Sequence, residues 1–320
     1  MADAGPPRVV ELAGGVGGAR LAHGLQAHLG EHLTVVVNTG DDLDRHGLLV
    51  CPDLDTVLYT LAGLDNREWG WGLAGETFAG AEMLARYGEE TWFRLGDKDL
   101  ATHIVRTRRR RDGERLTETT RHLQRSLGVS ATILPMTDAM VRTQVRTDEG
   151  WLDFQTYFVG RHQAPEVREL RYDGLDHAPA TPEVLAALAT ADVIVLAPSN
   201  PFLSLAPILG VGGMRAAIEA ARARGIPVVA VSGIIGGRAL KGPADRILAS
   251  LGHEASALGV ARIHAPMIDR FVIDAADATL EGPISDLGLD VLVTDTIMDS
   301  DEARARVAGA ILEATAARRR

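Results

Sequence analysis

Carboxylates crowd one short reach of this chain: Asn38-Thr39-Gly40-Asp41-Asp42 is followed by Asp44, Asp53 and Asp55. Adjacent carboxylates suit a divalent cation, and magnesium is the expected ion, because it is usually held by one or two carboxylates plus substrate phosphates. Two plainer roles compete. An acidic residue here can bind a ribose hydroxyl in a dinucleotide fold, and Asp53 or Asp55 can cap the helix that begins CPDLDTVLYTLAGL. A second group has the make-up of a phosphate site. In ELAGGVGGARLAHGL, Gly14, Gly15, Gly17 and Gly18 lie between an apolar run and a helix-like run. A helix amino end offers unpaired N–H groups, and glycines let a phosphate reach them. The spacing G-G-x-G-G fits neither G-x-G-x-x-G nor the P-loop, so it names no ligand; tight packing of helix on strand is the alternative. A third group, LGDKDLATHIVR at 95–106, sets Asp97, Lys98, Asp99 and His103 at a helix start, where capping is the simplest role for an aspartate. In a fourth, LAPSNPF at 196–202, two prolines fix Ser199 and Asn200 at the end of an apolar strand, and Asn200 has the groups to read the edge of a base.

These residues need a scaffold that brings loops together. Residues 9–12 and 33–39 read as buried strands flanking a helix at 20–29, which puts the glycine loop and the acidic loop on one sheet edge. Further strands are predicted at 192–201, 226–235 and 291–297, with helices at 214–224, 245–251 and about 301–317; Arg318-Arg319-Arg320 then suits the helix carboxyl end. The alternation predicts an α/β fold: a doubly wound, mostly parallel, Rossmann-like sheet. Residues 76–127 read as helical, and 141–159 alternate like strands around the hairpin signal Thr147-Asp148-Glu149-Gly150. We expect one domain over 1–320, with a helical and β-hairpin elaboration at 76–175 acting as a cap over the strand ends, where such sheets bind ligands. The basic run RTRRRRDGER at 106–115 reads as a solvated turn between helices, or else as an anion-steering patch.

Composition narrows the chemistry. With 33 Lys and Arg against 43 Asp and Glu, the net charge is −10, without the basic footprint of a nucleic-acid binder. Small-molecule substrates are expected. Cys51 is the only cysteine, which excludes an intrachain disulfide framework and a multi-cysteine metal site. A cytoplasmic location is expected, with no membrane association, since no apolar run is of spanning length and the first residues lack a signal-peptide pattern.

Taken together, the motifs resemble the phospholactate transferases of coenzyme F-420 biosynthesis and their bacterial phosphoenolpyruvate-using relatives. The pieces are GGVGGAR, VVVNTGDD, CPDLDTVLYTL, GWG followed by ETF, LGDKDLATHIVRT, LAPSNP and SGIIGGRALKGPAD, in family order from residue 14 to about 245, with a further likeness at VTD, 293–295. Lys98 departs from the pattern: many members are expected to carry arginine there, so the charge is kept and the bidentate geometry lost. The resemblance implies that the terminal ribityl hydroxyl of the deazaflavin Fo attacks the phosphorus bearing an enolpyruvyl or lactyl group in a guanosine diphosphate conjugate, and GMP leaves. It implies catalytic roles for Asp42 and Asp55, and contact with Fo by Asp55, Asp97, Lys98 and His103. Nucleotide contacts would come from Gly15, Gly17, Gly18, Ser199 and Asn200, magnesium would sit on Asp41, Asp42 and Asp55, and the protein would be a homodimer. Two rivals share parts of the pattern. A nucleotide-sugar-binding regulator of the gluconeogenesis-factor type has a similar sheet and glycine loop, but LGDKDLATH argues against it. A nicotinamide-dependent dehydrogenase would need the missing G-x-G-x-x-G.

Overall fold

The structure, a computed structural model, describes residues 5–316; the Arg318-Arg319-Arg320 tail lies outside the described residues. The first strand, β1 (Val9–Ala13), is buried throughout and pairs in parallel with β2 (Leu33–Val37). Between them α1 (Val16–Leu29) buries Ala19, Leu21, Ala22, Leu25 and Leu29, one apolar stripe at helical spacing. A hairpin of β3 (Leu43–Arg45) and β4 (Leu48–Val50) leads into α2 (Pro52–Leu61), where proline is tolerated because the first helical turn needs no N–H donor. Helices α3 (Ala79–Arg86), α4 (Asp97–Arg111) and α5 (Leu116–Ser126) follow, and β5 (Thr132–Pro135) then joins the outer side of β2. Next, β6 (Arg142–Thr147), β7 (Gly150–Asp153) and β8 (Glu169–Asp173) make a separate antiparallel sheet.

Helix α6 (Pro182–Thr190) returns the chain to β9 (Val193–Leu196), which pairs with the free side of β1. The chain then winds outward through α7 (Ala206–Gly210), α8 (Met214–Ala223) and β10 (Val228–Val231). A two-stranded ribbon of β11 (Ile234–Ile235) and β12 (Arg238–Ala239) precedes α9 (Ala244–Ser250) and α10 (Ala257–His264). The last elements are β13 (Arg270–Asp274), α11 (Glu281–Ser285), β14 (Asp290–Thr294) and α12 (Asp301–Ala316).

The seven-stranded sheet is parallel in every pairing, in the order β14-β13-β10-β9-β1-β2-β5, and helices cover both faces. This is the doubly wound α/β fold expected. Side chains alternate between its faces: Val10 and Leu12 join Val36, Ile194 and Leu196 in one core, while Val9 and Ala13 join Val35, Val37 and Val195 in the other. Successive strands run from β1 out to β5, then restart at β9 and run out to β14. The winding reverses between β1 and β9, and that is where such sheets open a crevice at their carboxyl ends. The two loops flanking the crevice are the glycine loop after β1 and Ala197 to Asn200 after β9.

Within 76–175, β5 belongs to the central sheet, and the antiparallel sheet docks through a small core of Val145, Phe154, Tyr157, Val167, Leu203 and Ile247. The strand pattern expected over 141–159 stops at Asp153. Residues 156–160 form a π-helical turn instead, because Phe154 and Tyr157 are both drawn into that core and strict alternation would send one of them outward. The basic run also differs from expectation: residues 106–111 finish α4, and only the stretch after it turns.

Candidate active site

At the switch point the two loops bind each other. The amide of Gly14 donates to Ser199 Oγ at 3.0 Å. A Cβ on Gly17 would collide with the carbonyl oxygen of Pro198, and one on Gly15 would come within 2.7 Å of Asp53 Oδ1. Gly18 packs against Ala13 and does not line the crevice. The glycine pattern is thus required by loop packing, and Gly15 and Gly17 additionally leave the amino end of α1 open toward a cavity of about 530 Å³, within the range of small-molecule sites. Ser199 and Asn200 line the same end. Asn200 Oδ1 accepts from the amides of Phe202 and Leu203 at 2.9 and 3.0 Å, while its buried Nδ2 has no protein partner and is left for a ligand.

The acidic loop supplies the adjoining wall. Asp41, Asp53 and Asp55 line the cavity, whereas Asp42 is buried behind it, beside Cys51, Arg142 and Arg106. Neither Asp53 nor Asp55 caps α2, whose N-cap residue is Cys51 without a side-chain bond. Asp53 accepts from Asn38 Nδ2 at 3.0 Å. Burial raises the pKa of Asp41, and the neighbouring carboxylates of Asp53 and Asp42 raise it further; Asp41 Oδ1 has no partner. Burial lifts Asp53 as well and pushes Asp42 up to about 7. Like charges gathered in a dry wall, with an unpaired oxygen among them, are the donor set that a divalent oxygen-seeking cation fits.

Asp55 has a different companion. Arg106, buried within α4, grips both of its carboxylate oxygens, with Nη1 donating to Oδ2 at 3.0 Å and Nη2 donating to Oδ1. Burial opposes the Arg106 charge, but the Asp55 carboxylate outweighs it and raises the guanidinium pKa. One turn back, His103 Nδ1 lies 3.2 Å from Arg106 Nη1 and 3.7 Å from Asp55 Oδ2, and its Nε2 lies 3.1 Å from Asp99 Oδ2 without an aligned hydrogen bond. Tyr59 donates to Asp99 Oδ1 at 2.6 Å. Burial opposes ionisation of Asp99, yet His103 and Tyr59 hold its pKa below the ordinary value. Asp55, Tyr59, Asp99 and His103 all line the cavity, and Asp55, Asp99 and His103 could together hold a metal ion.

Asp97 and Lys98 are drawn elsewhere. Asp97 accepts from Thr77 Oγ1 at 2.6 Å and from the amides of Ala79 and Gly80 at 3.0 and 2.9 Å; Lys98 Nζ donates to the Ala74 carbonyl at 2.7 Å. Both fasten the 74–80 segment and neither lines the cavity. What that segment and its neighbours deliver is an aromatic wall, missed in the sequence. Trp69, Trp71, Trp92, Phe93, Phe154 and Phe158 all line the cavity. Trp69 and Trp71 remain 41% and 50% exposed, with ring centroids 5.4 Å apart, a large apolar surface left uncovered by protein. Arg106 was missed too, and Asp99, for which capping was the simplest role, instead meets Tyr59 and His103; 99, 103 and 106 are spaced i, i+4, i+7 on one helical face, a signal the basic run obscured.

This geometry can be set beside known proteins. The family model described as 2-phospho-L-lactate transferase CofD matches residues 9–303. A phosphoenolpyruvate transferase from Kitasatospora aureofaciens is 43% identical over 94% of this chain and 95% of its own length. A 2-phospho-L-lactate transferase from Methanosarcina mazei is 39% identical over 96% of this chain and all of its own. Among solved structures, a UPF0052-family protein from Bacillus halodurans, BH3568, superposes with a TM-score of 0.62 at 16% identity, covering 96% of this chain and 100% of that one; this likeness shows the fold alone. No helix among the described residues is long and apolar enough to cross a membrane.

Proposed function

Because the chain belongs to the 2-phospho-L-lactate transferase CofD family, and is therefore a transferase, we propose that it moves a phosphoenolpyruvyl or 2-phospholactyl group from a guanosine diphosphate conjugate to the terminal ribityl hydroxyl of Fo, in coenzyme F-420 biosynthesis. The regulator and dehydrogenase readings gain nothing from that membership. The observation that carries the proposal is one cavity lined by open backbone and amide donors at the switch point, by broad aromatic faces and by carboxylates. A nucleoside diphosphate suits the first of these surfaces and a planar deazaflavin the second. Their reacting groups then meet beside Asp41, Asp53 and Asp55.

In the reaction, the Fo oxygen forms a bond to phosphorus, the bond from that phosphorus to the GMP phosphate breaks, and its electron pair stays on GMP. Asp55, fixed by Arg106, accepts a hydrogen bond from the attacking hydroxyl and passes its proton on toward solvent. Asn200 Nδ2 and Ser199 steady the nucleotide. Of the three aspartates first assigned to magnesium, Asp41 best fits the ion, joined by Asp53, since Asp55 and Asp42 face arginines; the ion would neutralise phosphate charge. Positioning and charge neutralisation dominate a displacement of this type, and no covalent nucleophile is required. The enzyme acts as a cytoplasmic homodimer in this account. The test is GMP release from each guanylylated donor, followed chromatographically with and without Fo. Release that depends on Fo supports the proposal; release that ignores Fo, or none with either donor, overturns it.

A further inference from the structure

The cavity has an imbalance of charge: Asp41, Asp53, Asp55 and Asp99 line it, while the donor inferred above brings phosphates of the same sign. Three side chains able to carry positive charge share the lining. His103 is buried against Asp99 and Asp55, and the Arg94 guanidinium lies over the Phe78 ring, 4.0 Å from its centroid, on the aromatic side. The third is Lys241, which among the described residues has neither a hydrogen bond nor an ion pair. Its position is defined from two sides. A Cβ built on Gly70 would lie 3.8 Å from Lys241 Nζ and 3.8 Å from Cγ1 of Val16, the first residue of α1, so the ammonium sits where the tryptophan loop meets the glycine loop. The ribbon that presents it is anchored: the Gly236 amide donates to both carboxylate oxygens of buried Asp277, at 3.2 and 3.1 Å, and Pro243 is buried just beyond the lysine.

We propose that Lys241 is a substrate-binding and catalytic residue, whose ammonium binds the diphosphate of the donor and neutralises the charge that develops on the departing GMP phosphate. The inference rests on the transferase reading and adds to it the cation that an acidic cavity needs. A compact, mobile ammonium suits a phosphate whose charge rises during the reaction, because it can follow the oxygen as the bond breaks. The chemistry is the displacement already written: the electron pair of the broken P–O bond ends on GMP, and Lys241 gives up no proton.

The experiment compares wild type, Lys241→Ala and Lys241→Arg by calorimetry with GDP and with GMP, by fluorescence titration with Fo, and by turnover of the guanylylated donors. Lys241→Ala should bind GDP about tenfold or more weakly, the range for a lost charge-assisted contact, and should lose about 10²-fold in kcat/KM for the donor. GMP affinity should fall less, Fo affinity should stay within about twofold, and Lys241→Arg should recover most of both losses. Equal GDP affinity and equal kcat/KM in wild type and Lys241→Ala overturn the assignment, as does wild type that fails to bind GDP. Wild type that binds GDP through Lys241 but transfers nothing to Fo leaves the assignment standing and removes the transferase reading instead.

Discussion

Asp55→Asn removes a charge while keeping the size of the side chain, and the structure sets its consequences. The side chains of Asp55 and Arg106 are only 7% and 2% exposed, so the arginine would be left charged and unpaired in a dry interior. Breaking a buried pair from one side costs about 3–5 kcal/mol. For a chain of 320 residues the unfolding entropy is about 0.7 kcal/mol/K. Asp55→Asn should therefore melt about 4–7 °C below wild type, far more than a lost surface charge explains. Turnover should fall by about 10²–10⁴, the range for a lost acid–base group. The double variant Asp55→Asn with Arg106→Met separates the effects: it should regain most of the melting temperature and none of the rate. Calorimetry and Fo-dependent GMP release measure both quantities on the same samples. If Asp55→Asn melts within about 2 °C of wild type, the pair does not stabilise the fold as argued; if the double variant regains turnover, the carboxylate only balances Arg106.

Glu11, in the middle of β1, is buried with both carboxylate oxygens unpartnered, and burial raises its pKa well above the ordinary value, so Glu11→Met should raise the melting temperature at pH 8. Unchanged or lower stability of that variant would contradict the buried, unpaired state. For wild type in chelator, the folded state retains protons on Glu11, Asp41 and Asp42 that the unfolded state has lost, so stability should fall as pH rises from 6.5 to 8. His264, held down to about 4 by burial and Arg215, and His23, lowered by burial, act in the opposite sense, chiefly at the acid edge of this range and below it; a melting temperature that climbs across 6.5–8 would refute the sign. Trp71→Ala should weaken Fo by about 1–3 kcal/mol of stacking and affect GDP much less, and equal Fo affinity by fluorescence titration would show that this ring does not hold Fo. Gly17→Ala, which drives a methyl group into the Pro198 carbonyl, should lower the melting temperature and donor affinity together; a variant normal in both would show that the loops yield freely.

The legible parts of this chain were those with a local signature. Apolar, β-branched runs at β1, β2, β9 and β10 announced a parallel sheet, and the loops after β1 and β2 had to share an edge once those strands were parallel. Long-range pairing was less accessible. Nothing in RTRRRRDGER distinguishes Arg106, which turns inward to Asp55 across 51 residues of sequence, from its solvated neighbours on α4. Asp97 and Lys98 look like site residues because they are charged and adjacent to His103, yet successive helical positions point about 100° apart, and these two reach the 74–80 segment instead. The aromatic wall is assembled from the 69–71, 92–93 and 154–158 segments, each unremarkable alone, so only the fold brings those rings together.

In the proposed reaction one cavity joins a guanylylated phosphate ester to the deazaflavin hydroxyl. Its most direct measurement is the mass of the deazaflavin product after incubation of the protein with Fo, magnesium and each guanylylated donor. The expected product is Fo increased by the mass of phosphoenolpyruvate or 2-phospholactate less one water, with one GMP formed per product. Fo recovered unchanged while the donor is consumed, or a product carrying the guanosine, would contradict it.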